Sequence, residues 1–187
     1  MRIRGNKLKE VAAQRGVSVQ QLADAIVEPG FDAPAAVSAL NNWMIGRDHP
    51  RCKAKTMRRI AEVLGVRVTD IVKFTSKVNN HRGSPRKAKL LIDLIRGRSI
   101  EQAQSMLRFT PKRAAVNIMK ALDAAIADAQ LADADVTTLF VSESRVDQAA
   151  MIKRFQPKDR GRAHPILKPL SHITISVEER SSNKAAR

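Results

Sequence analysis

The chain has 187 residues, 43% of them apolar, which is enough for one domain or two small ones. Its 34 Lys and Arg stand against 18 Asp and Glu, a net charge of +16 that repels itself unless a polyanion neutralises it. Nucleic acid is the first partner class this implies and an acidic membrane surface the second. No apolar run approaches the ~20 residues of a membrane crossing, and the start MRIRGNKLKE has no apolar stretch of a secretory signal. With Cys52 the single cysteine, the expectation is a reduced, cytoplasmic protein without an internal disulfide. Five Phe, one Trp and no Tyr leave few stacking platforms, so contacts to nucleic acid are expected mainly through its backbone.

Residues 1–75 carry 13 basic and 7 acidic side chains and read as short helices. The first opens at Asn6, turns Leu8, Val11 and Ala12 to one face, and stops at Gly16. Ser18 and Gln21 form a capping box ahead of a second helix whose buried face holds Leu22 and Ile26. Asp32-Ala33-Pro34 suits the entry to a third, carrying Val37, Leu40 and Trp43 or Met44. A fourth runs from Thr56 to Leu64 and closes at Gly65; a fifth spans Val68 to Phe74.

Residues 76–187 carry 21 basic and 11 acidic side chains. A short strand is expected over Lys77–Arg82. Ser84 as N-cap and Pro85 at the first helical position then start a helix with Leu90, Leu91, Leu94 and Ile95 apolar, ending at Gly97. A second capping box, Ser99 to Gln102, leads a helix with Ala103, Met106 and Leu107 inward. Thr110-Pro111 opens a longer helix to about Gln130, with Ala115, Met119, Leu122, Ile126 and Ala129 on its inner face. From Val136 the pattern turns to strands: VTTLFVSESRV is β-branched and SHITISVEE alternates.

Leu139–Phe155 and Arg162–Val177, run as two antiparallel strands, would reach roughly 50 Å, farther than three helices can cover. A two-stranded ribbon is marginal alone, and Lys153, Arg154, Lys158, Arg160, Arg162 and Lys168 gather toward its far end. A polyanion is the partner that would order it; a solvated charged loop is the plainer alternative. Pro165 and Pro169 on the return strand predict a bend or fraying between Ala163 and Leu170.

Two resemblances follow from these residues. LKEVAAQRGVSVQQLADAI, AVSALNNWMIGRDHP and MRRIAEVLGVRVTDIV resemble the phage-repressor (Cro/C1-like) helix-turn-helix class over about residues 6–74. That resemblance implies DNA contacts from Ser38, Asn41, Asn42 and Arg47. VEPGFDAPAA, longer than the usual tight turn, puts the docking of the third helix in question, and a helical module binding protein or RNA is the alternative. SPRKAKLLIDLIRGRS, FTPKRAA, LFVSESRV, KRFQPKDRGRA and SHITISVEE are similar, in order over about residues 76–179, to the bacterial large-subunit ribosomal protein twenty-two (L-twenty-two) family.

The second resemblance implies an α+β fold. Three helices pack on a small antiparallel sheet with a long β-hairpin, about 139–177, preceded here by an all-α helix-turn-helix-like domain. The division expected is 1–75, 76–180 and a disordered tail, 181–187. It also implies a structural role in translation: binding large-subunit rRNA, touching neighbouring ribosomal proteins, and lining the nascent-peptide exit tunnel with the hairpin tip. The rRNA-facing residues it implies are Arg82, Ser84, Arg86, Lys87, Lys89, Arg96, Arg98, Lys112, Arg113 and His172 on the body. On the arm they are Lys153, Arg154, Lys158, Arg160, Gly161, Arg162 and Lys168, with Gly161 permitting close backbone approach. The tunnel tip would be Phe155, Gln156, Pro157, Lys158, Asp159 and Arg160, with Gln156 and Asp159 diluting a tip usually more basic.

A DNA-binding regulator acting through residues 6–74, dimeric on a palindromic site, is the competing reading, and a hybrid of the two is the third. No cofactor, metal or catalytic group is expected. His49, His81, His164 and His172 lack H-x-x-x-H spacing, and RGRS at 96–99 fails as a phosphate loop because Ile92 holds the required glycine position. The link KFTSK has neither Gly nor Pro and leaves the two halves close enough to dock.

Overall fold

The computed structural model describes residues 1–28 and 31–180; the tail expected over 181–187 lies outside the described residues. Strand β1 (Arg2–Ile3) precedes helices α1 (Gly5–Arg15), α2 (Val19–Ile26), α3 (Ala33–Ile45), α4 (Ala54–Leu64) and α5 (Val68–Ile71). Local chemistry sets their ends. Ser18 accepts from Gln21 N at 3.2 Å and Ser18 N donates to Gln21 Oε1 at 2.9 Å, closing the expected box. Gly16, at φ +64, satisfies the last carbonyls of α1. Trp43 and Met44 are both buried, and Trp43 Nε1 donates to Pro50 O at 2.7 Å, fixing the exit of α3.

The fifth helix is shorter than the sequence predicts. It stops at Ile71, and Val72 begins strand β2 (Val72–His81) instead of completing a further turn. Pairing explains the change: Ile3 lies opposite Val72 and Arg2 opposite Lys73, so β1 claims the backbone a helix would have used. The strand expected over Lys77–Arg82 therefore starts five residues early, ahead of residue 76.

Helices α6 (Pro85–Ile95), α7 (Ile100–Arg108) and α8 (Arg113–Gln130) follow, then a 3-10 turn at Val136–Thr138 and strands β3 (Leu139–Gln148), β4 (Ile152–Pro157), β5 (Ala163–Lys168) and β6 (Ser171–Glu179). The main sheet has the order β1-β2-β6-β3, antiparallel throughout, and β4-β5 forms a separate two-stranded ribbon. Helix α8 packs on β2 and β6 and α6 on β3; Ile173, Ile175 and Val177 of the central strand are buried. This is the α+β arrangement expected, with a helical unit ahead of it.

Several inner faces differ from the sequence expectation. In α6 the buried stripe is Ala88, Leu91, Ile92 and Ile95, while Leu90 and Leu94 face outward. The run LLIDLI offers two apolar stripes, and only the one continuing small Ala88 fits under the helix. Ile118, Ala121 and Ala125 complete the buried face of α8, where Met119 is half-buried. Thr110 does not open α8: its hydroxyl donates to Met106 O at 2.7 Å and closes α7. Ser99 accepts from Gln102 N at 3.5 Å without the reciprocal half of a box.

The opposite face of the sheet is bridged by charge. Lys73 of β2 reaches Glu143 of β3 at 2.8 Å, across the central strand, and this contact holds the Glu143 carboxyl below its usual range. Arg4 pairs with Glu178 at 3.0 Å, Arg67 with Glu179 at 3.3 Å, and Arg4 N donates to Ile71 O at 2.8 Å. One hydrophobic cluster runs from Leu8 to Val177, so the helical unit is fused to the sheet. Gly5 lies at this junction. A Cβ there would fall 2.6 Å from the Met44 carbonyl oxygen and closer still to that of Trp43. Gly5→Ala is expected to lower unfolding stability by roughly 1–3 kcal/mol, read as a reduced urea midpoint; an unchanged midpoint would show that α1 and α3 do not need this approach.

Candidate nucleic-acid interface

An irregularity in β2 begins the site. Val78 pairs with Ile173 and His81 with Ser171, so β2 spends one extra residue between these points. Asn80 takes up the bulge at φ +54, a conformation asparagine tolerates better than most residues. The extra residue reverses the alternation and turns His81 inward, where it is 6% exposed. Asn117 Nδ2, 2.7 Å away on α8, donates to His81 Nδ1. An amide nitrogen only donates, so the neutral ring carries its proton on Nε2. Burial, and secondarily the Arg113 charge, lower the His81 pKa below its usual value.

Beside His81 a cleft of about 970 Å³ opens between three pieces of chain. The start of α6 supplies Arg82, Gly83, Ser84, Lys87 and Leu90; the start of α8 supplies Lys112, Arg113 and Ala114. Ile152, Arg154, Leu167, Lys168, Pro169 and Leu170 come from the root of the ribbon. Neither helix start is capped by a side chain at its N-cap residue, Ser84 or Lys112, so two positive helix ends face the same space. Among the described residues, six cations line the cleft and no carboxylate does. Among the described residues none of these six joins an ion pair, although eleven such contacts occur elsewhere. Nine cations elsewhere in the described fold reach a carboxylate, and the six gathered here are left uncompensated.

The ribbon continues this surface outward. Its ladder runs from Ile152 opposite Lys168 to Pro157 opposite Ala163, about 20 Å at ~3.3 Å per residue. The free arm is therefore shorter than the roughly 50 Å expected, because β3 and β6 lie within the main sheet. At the tip Arg160 and Gly161 have φ of 53° and 69°, and Arg162 N donates to Asp159 O at 3.2 Å. This turn has the twist hairpins favour. A Cβ at Gly161 would meet nothing within 4 Å, so its left-handed backbone, not a close approach inside the chain, accounts for the glycine.

The prolines sit differently from expectation. Lys158 N donates to Arg162 O at 2.7 Å, which fixes the parity of the ladder. Phe155–Pro165 and Pro157–Ala163 are then non-hydrogen-bonded pairs, in which the missing N–H costs no ladder bond. Strand β5 stays intact over Ala163–Lys168. The break falls at Pro169: Ala149 N donates to Leu170 O, and Ile152 next faces Lys168. Two residues, Ala150 and Met151, thus oppose one, and the arm bends away from the sheet there.

Seven of the sequence-predicted residues meet in the cleft: Arg82, Ser84, Lys87, Lys112, Arg113, Arg154 and Lys168. Arg86 and Lys89 are exposed on adjoining faces of α6. Lys153, Phe155, Gln156, Pro157, Lys158, Asp159, Arg160, Gly161 and Arg162 are exposed along the arm. Others stand apart. Arg96 donates to Ser144 O at 2.6 Å and pairs with Asp93 at 3.0 Å, fastening the far end of α6 to β3. His172 Nδ1 accepts from Asn80 N at 3.2 Å and steadies the bulge. Arg98 is exposed in the turn after α6. Ser38, Asn41 and Arg47 are exposed on and after α3, Asn42 is half-buried, and none of the four lines the cleft. Sequence reasoning missed His81, Asn117 and the apolar lining of Leu90, Ile152 and Leu167; paired asparagines before His81 were the one available signal.

This geometry defines a class: small α+β domains that extend a basic, two-stranded arm from a helix-covered sheet. A family model described as ribosomal protein L22p/L17e matches residues 76–178, and the chain belongs to that family. Proteins named large ribosomal subunit protein uL22 are similar to it. The one from Citrifermentans bemidjiense is 45% identical over 107 residues, 57% of this chain and 96% of that protein. Those from Syntrophotalea carbinolica and Clostridium novyi are 42% identical over 106 residues and 41% over 101. They cover 56% and 54% of this chain, and 96% and 91% of the relatives. Residues 1–75 precede the matched segment.

His81 carries a pH consequence. Its folded pKa is lowered, so the stability it contributes is fully present above the unfolded value near 6.5. That stability is lost as pH falls through the folded value, because the unfolded chain takes up a proton that the folded chain resists. An NMR titration should find the His81 ring midpoint below 6.5 and moved upward in Arg113→Gln. A midpoint at or above the ordinary value would contradict the buried, cation-flanked placement.

Proposed function

We propose that this chain is a structural constituent of the large ribosomal subunit, binding large-subunit (23S) rRNA through the cleft and the arm. The observation that carries the reading is the gathering, among the described residues, of six cations outside any ion pair and two helix starts without a side-chain cap in one concavity lined by no acid. Membership of a ribosomal protein family supports it. Phosphates are the complementary ligand: helix N-termini present N–H groups, Arg offers a planar fork, and Lys a mobile point charge. Folded RNA supplies phosphates at many angles around an irregular protein shape.

The arm extends the same logic. Its ladder is too small to hold itself straight in water, and its exposed Lys153, Arg154, Lys158, Arg160 and Arg162 find counter-charge in surrounding rRNA. Threaded in this way, Phe155 to Arg160 reach the wall of the nascent-peptide exit tunnel. The role is one of folding and holding RNA, in the company of neighbouring ribosomal proteins, and no bond is made or broken.

Lys112→Gln with Arg113→Gln removes two of the proposed phosphate contacts at exposed positions. Binding of the full chain to 23S rRNA fragments, measured by filter retention across a salt series, should weaken for every fragment that the native chain binds. The slope of log affinity against log salt should fall by about 1 per charge removed. An unchanged slope would remove the cleft from the RNA-binding surface.

A further inference from the structure

Phosphate binding leaves half of the cleft unexplained. Leu90 and Leu167, 61% and 54% exposed, stand with Ile152 and Leu170 among the cations. Exposed aliphatic side chains contribute nothing to a site for phosphate alone. They suit a ligand with an anionic part and a flat apolar part. The volume, about 970 Å³, is at the upper end of the ~300–1,000 Å³ of clefts that enclose small organic groups.

His81 supplies a third feature. It is 94% buried and lines the cleft, with Nδ1 engaged by Asn117. Its Nε2–H has no partner among the described residues. Gly83 is the reason it stays uncovered: a Cβ at that position would come 2.6 Å from Nε2. The donor is therefore fixed in direction by the Asn117 contact and open on the cleft side, the arrangement that reads a hydrogen-bond acceptor rather than a diffuse charge.

We propose that the cleft holds a single unpaired nucleotide of RNA extruded from its helix. Its phosphate lies at the starts of α6 and α8, its base lies against Leu90, Ile152 and Leu167, and an acceptor on the base edge meets His81 Nε2–H. The inference rests on the rRNA-binding reading above and deepens it. A base inside a duplex presents neither face to a side chain, whereas an extruded one presents both faces and its pairing edge. The chain has few aromatic platforms, and aliphatic walls take their place here.

The test uses the full chain and two RNA hairpins identical except for one unpaired purine, compared by fluorescence anisotropy at one salt concentration. The bulged hairpin should bind about tenfold more tightly. Leu90→Ser with Leu167→Ser, both surface positions whose change leaves the core intact, should bring the bulged hairpin within about twofold of the paired one. The paired hairpin should bind this variant as it binds the native chain. Equal binding of both hairpins by the native chain, or a preference that survives the double substitution, overturns the nucleotide inference and leaves the rRNA reading standing. Failure to bind either hairpin, together with failure to bind 23S rRNA fragments, overturns both.

Discussion

Like charges held together without counter-charge are the constraint on which the rest of this structure depends. Lys112 and Arg113 begin one helix, Arg82 and Lys87 flank the start of another, and Arg154 and Lys168 face them from the arm. Each could have been paired, as Arg4, Arg67 and Lys73 are. Left unpaired, they repel one another in the isolated chain and become favourable only when a polyanion enters. The fold tolerates this because its core lies elsewhere, in the face of α6 and α8 against β2, β6 and β3. The core and the proposed binding surface thus lie on different faces of the same helices.

Backbone irregularities aim that surface. The bulge at Asn79–Asn80 shifts β2 by one residue, bringing His81 to Asn117 and the loop Arg82–Ser84 to the cleft. The second bulge, opposite Pro169, tilts the arm from the sheet so that Arg154 and Lys168 close the third side. Pro157 and Pro165 sit where the ladder asks for no N–H. A straight, regular hairpin would separate these cations from the two helix starts.

Much of this was legible in the sequence, and the reasons are local. The Ser18 box, Gly16, and the Ser84-Pro85 start follow from chemistry within four residues, and all appear where expected. Six of the basic residues of 82–89, 112–113 and 153–168, all readable in the sequence as one charged group, share one concavity. What could not be read required tertiary choice. Periodicity could not decide between the two apolar stripes of α6, and Phe74 joined a strand because Ile3, some seventy residues away, pairs with Val72. His81 looked like an isolated histidine because a single-residue bulge, invisible to alternation, decides which way it points. The arm was overestimated because its inner halves serve the sheet.

The helical unit of residues 1–71 is not a loose appendage: β1 extends the sheet, and Arg4 and Arg67 bind its last strand at Glu178 and Glu179. Whatever the unit touches is held in fixed register with the cleft and arm. The most direct test is a cryo-electron microscopy map of large ribosomal subunits carrying this chain. The account predicts RNA inside the cleft, with phosphate oxygens in hydrogen-bond reach of the starts of α6 and α8 and of Lys112 and Arg113. A cleft filled by solvent, or by carboxylates of a neighbouring protein, would contradict it.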